Sequence, residues 1–215
     1  MIRVLLVDDH AVVRDGLRML IERTTDCRVE GEAENVATAL EAVRDKSVDL
    51  VILDLALPDK TGMEALTEIR QIKPDLPVLI FSGFNEDIYA VSCLRAGAMG
   101  YLNKDSDPEN IRTAIRMAAR GERYVSPRIA LKVLDAAFQP ASDSNQRKLT
   151  VRELDILIRI SRGQSLTHIA NDLVLSNKTI SAHRANILEK LGLSSNAEIV
   201  KYVVAQNLDP QAPTI

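Results

Sequence analysis

Over the first 120 residues, short aliphatic and β-branched runs alternate with stretches of helical periodicity, and this alternation narrows the possible folds sharply. Residues 4–7, 28–32, 50–53, 78–81 and 100–103 read as five strands. Between them Val13, Leu17, Leu20 and Ile21, then Val36, Leu40 and Val43, then Leu66 and Ile69, then Ile88, Val91 and Leu94 recur at helical spacing. A last helix starts after Asp107 and Pro108 and carries Ile111, Ile115 and Ala118. Strands that alternate with helices demand right-handed crossovers, so the expected fold is an α/β doubly wound, five-stranded parallel sheet.

Chemistry in such sheets collects at the carboxyl ends of the strands. There the sequence places Asp8 and Asp9 after the first strand, Asp54 after the third, Ser82 after the fourth and Lys104 after the fifth. Three carboxylates in one place repel each other, unless a hard divalent cation such as Mg²⁺ is held among them with water and a backbone carbonyl. Such a site accepts a phosphoryl group: Asp54 attacks, the metal and Lys104 neutralise developing charge, and Ser82 hydrogen-bonds the transferred oxygens. Any one of these carboxylates alone reads equally well as a solvated loop residue; five polar residues at the same strand ends do not.

Residues 121–138 carry one more helical pattern, beginning after Ser126 and Pro127, and 139–148 form a polar stretch without apolar periodicity, read as a linker. From Thr150 onward four helices are expected, over 151–162, 166–173, 177–191 and 197–207. Thr150 with Glu153 three residues later forms a capping box, Ser176 is a second start signal, and Gly163 and Gly192 are stops. The turn Val174-Leu175 gives the second and third helices helix-turn-helix spacing, with Ile169, Ala170 and Leu173 facing Ile180, Ile187 and Leu191. The expected organisation is therefore a domain at 1–120, a linker with one helix at 121–148, a small all-α domain at 149–208 and a tail at 209–215.

If the third of these helices enters a major groove, Ser176, Lys178 and Thr179 suit phosphates, while Ser181 and Ala182 suit base edges. His183, Arg184 and Ala185 divide between solvent and groove; His183 stands alone and reads as a packing or phosphate-contact residue, not a base or ligand. The rival reading is an ordinary helical bundle with Lys178 and Arg184 solvated. On the last helix Ile199, Val200, Val203 and Val204 make too much apolar surface for a free end, so part is expected to pack on the domain and part to pair with a second copy.

Charge separates the halves: residues 1–120 hold 15 basic against 21 acidic residues, net −6, and residues 147–208 hold 9 against 5, net +4. Only the second half suits a polyanion. Cys27 and Cys93 have neither disulfide-framework nor zinc spacing, and the apolar run at 4–7 is too short for a signal peptide or a membrane span, which fits a reducing cytoplasm.

The runs Val4-Leu5-Leu6-Val7-Asp8-Asp9-His10, Asp54-Leu55-Ala56-Leu57-Pro58-Asp59-Lys60-Thr61-Gly62, Ser82-Gly83 and Gly97-Ala98-Met99-Gly100-Tyr101-Leu102-Asn103-Lys104 resemble the flavodoxin-like receiver domain of two-component response regulators. The resemblance implies that Asp54 is the phosphoacceptor, that Asp8, Asp9, Asp54 and the Ala56 carbonyl hold Mg²⁺, and that Ser82 and Tyr101 form a switch pair. Leu149-Thr150-Val151-Arg152-Glu153, Ile169-Ala170, the stretch from Leu175 to His183 and Lys190-Leu191-Gly192-Leu193 are similar to the LuxR-type helix-turn-helix of the NarL/FixJ response-regulator family. Two positions depart from it: many relatives have Lys where Ser181 stands and Arg where Asn196 stands. The family implies a transcription factor, not an enzyme, phosphorylated by a sensor histidine kinase, pairing as a homodimer on double-stranded DNA, with RNA polymerase a further partner. An aspartate phosphatase is disfavoured because Asp54-Leu55-Ala56 lacks the second carboxylate that would act as acid and base. A phosphorylation-controlled protein-interaction module that does not act on DNA is the remaining alternative.

Overall fold

A computed structural model gives the structure of the chain over residues 1–126, 129–130, 149–173, 175–205 and 208. Most of the helix expected after Ser126 and Pro127, the polar linker at 139–148, Val174 of the turn, the predicted end of the last helix at 206–207 and the tail at 209–215 lie outside the described residues. The chain divides into two compact units, Met1–Phe138 and Gln139–Ile215.

In the first unit β1 (Ile2–Val7), β2 (Cys27–Ala33), β3 (Leu50–Leu53), β4 (Val78–Ser82) and β5 (Gly100–Asn103) form one all-parallel sheet in the order β2-β1-β3-β4-β5. The helices α1 (Ala11–Glu22), α2 (Val36–Asp45), α3 (Gly62–Ile72), α4 (Glu86–Arg95) and α5 (Pro108–Ala119) make the crossovers. Successive strand residues point to opposite faces. One face carries Val4, Leu6, Leu50, Ile52, Leu79, Phe81 and Leu102, packed with Leu17 and Ile21 of α1 and Ile111, Ala114, Ile115 and Ala118 of α5. The alternate residues Leu5, Val7, Val51, Leu53 and Ile80 are equally buried. Both faces are covered, which is why the strands read as unbroken apolar runs.

Local chemistry sets the helix starts. Asn35, Thr61, Asn85 and Asp107 each accept a backbone N–H of the first turn that follows, and Thr61 forms a full capping box with Glu64. On α4 the expected Leu94 is buried together with Tyr89, Ala90 and Cys93, while the expected Val91 is half-buried. Small Ala90 and Cys93 let that face sit against β5, while the apolar count alone favoured the Val91 side. The chain after α5 also differs from the expected linker, because Tyr124 bridges in parallel to Gly100 at the end of the sheet and its N–H donates to the Met99 carbonyl at 2.8 Å. A Cβ on Gly100 would stand 2.6 Å from the Tyr124 carbonyl oxygen, so this close return needs glycine.

The second unit contains α6 (Val151–Ser161), α7 (Leu166–Asp172), α8 (Asn177–Leu191) and α9 (Asn196–Ala205). Thr150 and Glu153 form the predicted capping box, Ser165 and Ser176 cap the next two helices, and Gly192 ends α8 at φ 67°. Leu154, Ile156, Leu157, Ile160, Ile169, Ala170, Leu173, Ile180, Ile187, Ile199 and Val203 make the core; Leu191, expected in it, is half-buried at the helix end.

Candidate functional site

Parallel pairing of Val7 with Leu53 brings the residues that follow β1 and β3 side by side, so Asp8 and Asp54 are neighbours although 46 positions apart, and both are only 2% exposed. Lys104, anchored where its N–H donates to the Ser82 carbonyl, reaches across β4 with its ammonium. Its Nζ lies 2.7 Å from Asp8 Oδ2 and 2.8 Å from Asp54 Oδ2. The other Asp54 oxygen accepts the N–H groups of Leu55 at 2.6 Å and Ala56 at 3.3 Å. Asp8 Oδ1 accepts the His10 N–H at 2.9 Å.

Burial pushes the Asp54 carboxyl above its ordinary value, and the Asp8 charge adds to this, while the Lys104 ammonium opposes both. Burial acts to lower the Lys104 pKa, yet the Asp54 and Asp8 carboxylates hold it above its usual value. A lysine kept charged between two carboxylates is the counter-charge that makes a buried acidic pair tolerable.

Asp9 is exposed and pairs with His10 Nδ1 at 2.7 Å. One ligand atom each from Asp8, Asp9, His10 and Asp54 lies within 4.8 Å of the others, a group that suits a metal ion. The three carboxylates supply the hard oxygen donors that Mg²⁺ prefers; the imidazole is a poorer match to it. His10 is the member that sequence reasoning passed over, and its signal was its place directly after the Asp8-Asp9 pair. Ala56 is half-buried in the loop after β3, two residues beyond Asp54.

Ser82 is buried at the end of β4, and Tyr101 on β5 is 3% exposed, not half-buried as an alternating edge residue would be. The Tyr101 hydroxyl donates to the Phe84 carbonyl at 2.9 Å, and Asn103 Nδ2 donates to the same oxygen at 3.3 Å. Burial raises the Tyr101 phenol above its ordinary value, so it stays a donor at any physiological pH. The Phe84 N–H lies 3.4 Å from Ser82 Oγ, so both members of the expected switch pair engage one loop residue.

In the second unit the predicted nucleic-acid residues lie on α8 and its cap. Ser176, Lys178, Ser181, Ala182 and Ala185 are exposed, and Thr179, His183 and Arg184 are half-buried, all outside the core made by Ile180 and Ile187. The hydroxyls of Ser176 and Thr179 lie 2.8 Å apart in the helix cap, with Ser176 Oγ accepting the Thr179 N–H at 3.1 Å. Arg184 Nε donates to Asn196 Oδ1 at 2.7 Å. Of the four apolar residues on α9, part expected to pack and part to pair, Ile199 and Val203 are the packed part, buried where α9 meets α6 and so not available to a second copy. Val200 and Val204 are 38% and 40% exposed.

A parallel doubly wound sheet with two buried aspartates bridged by a lysine at its carboxyl edge, followed by a capped helix-turn-helix unit, defines a phosphoacceptor-type regulator. The family model "Response regulator receiver domain" matches residues 4–116, and "Bacterial regulatory proteins, luxR family" matches 147–203. The response regulator GacA of Pseudomonas protegens is 36% identical over 97% of this chain and 98% of its own length. A crystal structure of a two-component response regulator of the LuxR family from Aurantimonas sp. SI85-9A1 covers 64% of this chain and 98% of its own at 38% identity and TM-score 0.59. RcsB of Salmonella enterica serovar Typhimurium, solved bound to the promoter rprA with the phosphomimetic BeF3-, shares the fold at TM-score 0.64 and 23% identity over 94% of this chain and 98% of its own. The chain belongs to the response regulators of two-component systems that join a receiver domain to a LuxR-type helix-turn-helix, and it is a regulator, not an enzyme.

Proposed function

We propose that the chain is a phosphorylation-switched transcription factor with its receiver at 1–120, a linker at 121–148 that bridges back to the receiver sheet at Tyr124, its DNA-binding domain at 149–208 and a tail at 209–215. The observation that carries this reading is the Lys104 bridge between buried Asp8 and Asp54. A carboxylate oxygen of Asp54 attacks the phosphorus of a phosphohistidine on a sensor kinase. The new P–O bond forms as the P–N bond breaks, and the leaving imidazole takes a proton from solvent. Lys104 favours the ionised form of Asp54 that attack requires and then pairs with the transferred oxygens.

Asp8, Asp9 and Asp54, with the Ala56 carbonyl, would hold Mg²⁺, which when bound would neutralise charge on the transferred phosphoryl group. Ser82 hydrogen-bonds the phosphoryl group, and Tyr101 reports its movement through the Phe84 carbonyl that it already engages. The change biases a pre-existing equilibrium toward pairing of two copies on DNA.

On the DNA side, the N-terminal turn of α8 meets phosphates through Lys178 and the cap at Ser176 and Thr179. Ser181, Ala182 and Ala185 face base edges, with His183 and Arg184 flanking them. Val200 and Val204 are the part of α9 left for a second copy. The protein works in the cytoplasm with a sensor histidine kinase, DNA and RNA polymerase as partners; among the described residues no helix is long and apolar enough to cross a membrane.

The test is selection from a random duplex library in Mg²⁺, with and without beryllofluoride, for wild type and Asp54→Ala. Wild type is expected to enrich a repeated half-site mainly in the treated sample, and Asp54→Ala to show no stimulation. Equal enrichment with and without beryllofluoride overturns phosphorylation as the gate.

A further inference from the structure

The loop 8–10 carries three of the four clustered pocket residues, yet it leads into a helix whose start is unusual. His10 at the α1 N-cap makes no side-chain cap bond, the first turn holds no acidic residue, and Arg14 puts a cation there, where the helix dipole disfavours one. The partners of Arg14 account for the cation. Its Nη1 donates to the backbone carbonyl of Asp8 at 2.6 Å and its Nε to Glu32 Oε2 on β2 at 3.1 Å, with the side chain 15% exposed. The Asp8 N–H meanwhile donates to the Ala33 carbonyl at 3.1 Å, so the Asp8 backbone is held from both sides. Glu32 also pairs with Arg18, so two guanidinium groups share one carboxylate and the trio keeps a net positive charge behind the acidic loop.

We infer that Arg14, held in place by Glu32, is a positioning residue for the acidic pocket: it fixes the Asp8 carbonyl and thereby sets how tightly the pocket holds a divalent cation. This rests on the reading of Asp8, Asp9 and Asp54 as the Mg²⁺ site. Arg14 bonds the backbone carbonyl of Asp8 rather than its carboxylate, so it acts through the backbone that aims the ligand. Residues that orient metal ligands from behind typically govern affinity by about tenfold or more.

The test is a Mg²⁺ titration of the full chain followed by amide NMR shifts of Asp8, Asp9 and His10. Arg14→Gln and Glu32→Gln are each expected to weaken Mg²⁺ binding by about tenfold. Their double variant should bind no more weakly than Arg14→Gln alone, because the two act in series, and Arg14→Lys should restore part of the loss by keeping an N–H donor for the Asp8 carbonyl. Arg3→Gln, which breaks the Arg3–Asp49 pair near the other end of β1, controls for stability and is expected to bind Mg²⁺ as wild type does. Wild-type affinity in either single variant, a double variant weakened by the product of the two effects, or an equal loss in Arg3→Gln overturns the inference. A wild-type chain with no saturable Mg²⁺ response overturns the pocket reading as well, whereas wild-type binding unchanged by Arg14→Gln overturns this inference alone.

Discussion

Lys104 Nζ lies 2.8 Å from Asp54 Oδ2 although the two residues are 50 positions apart in the chain and on strands separated by β4. The same ammonium reaches Asp8, so one cation balances two buried carboxylates. Lys104→Met removes it and leaves both buried carboxylates without the cation they share. We expect a loss of about 3 kcal/mol in urea unfolding of the receiver transition, with much of it restored by adding Asp54→Asn. Phosphorylation by acetyl phosphate should slow about a hundredfold. A Lys104→Met chain as stable as wild type would show that solvent, not Lys104, balances the pair.

Two glycines make a matched comparison. A Cβ on Gly62 would stand 2.1 Å from the Asp54 carbonyl oxygen and 2.7 Å from Leu55 Cα, whereas one on Gly16 in α1 meets nothing within 4 Å. Gly62→Ala is expected to cost about 2–3 kcal/mol and to slow labelling of Asp54, since the backbone that must yield is its own. Gly16→Ala is expected to stabilise by up to about 1 kcal/mol and to leave labelling unchanged. Thermal melts with phosphodonor assays check both.

Acid sensitivity of the receiver is expected to come partly from ion pairs outside the pocket. A hydrogen bond from Arg3 holds the Asp49 carboxyl down to about 2, and one from Arg116 holds Asp26 down to about 2. A carboxylate with a depressed folded-state pKa contributes stability that is present above its unfolded value, near 3.8, and lost as pH falls through the folded value. Stability contributed by these pairs should therefore fall between about pH 4 and pH 2. Asp49→Asn should flatten the pH dependence of the unfolding midpoint in that window; an unchanged slope would remove Asp49 as a cause.

Lys178 and Ser181 are both exposed on α8 but are expected to fail differently. Lys178→Ala should weaken binding to all duplexes alike and reduce the slope of log affinity against log salt by about 1. Ser181→Ala should leave the slope alone and change the preferred half-site. Binding titrations at several salt concentrations on the selected site and one scrambled duplex distinguish the two.

Much of the site was legible because it is local in kind. Asp8, Asp54, Ser82 and Lys104 each follow or end a strand, and strand ends in a parallel sheet share an edge, so sequence order alone placed them together. The capping boxes at Thr150 and the stop at Gly192 depend on a few neighbouring residues and were equally readable. What spacing left open depended on faces and partners: Ala90 and Cys93 are buried on α4, which packs against β5, and α6 beside Ile199 and Val203 decided which part of α9 is buried.

The sequence by itself determined the alternation of strands and helices, the five polar positions of the pocket and the helix-turn-helix spacing, since these follow from periodicity and short-range hydrogen bonding. Only the tertiary structure decided that Lys104 bridges Asp8 and Asp54, that His10 joins the acidic group, that Tyr101 turns inward to the Phe84 carbonyl, and that Arg14 and Glu32 hold the Asp8 loop from behind. Each of these is a contact between residues brought together by strand order or by the direction a side chain takes from its backbone, and neither is encoded in spacing along the chain.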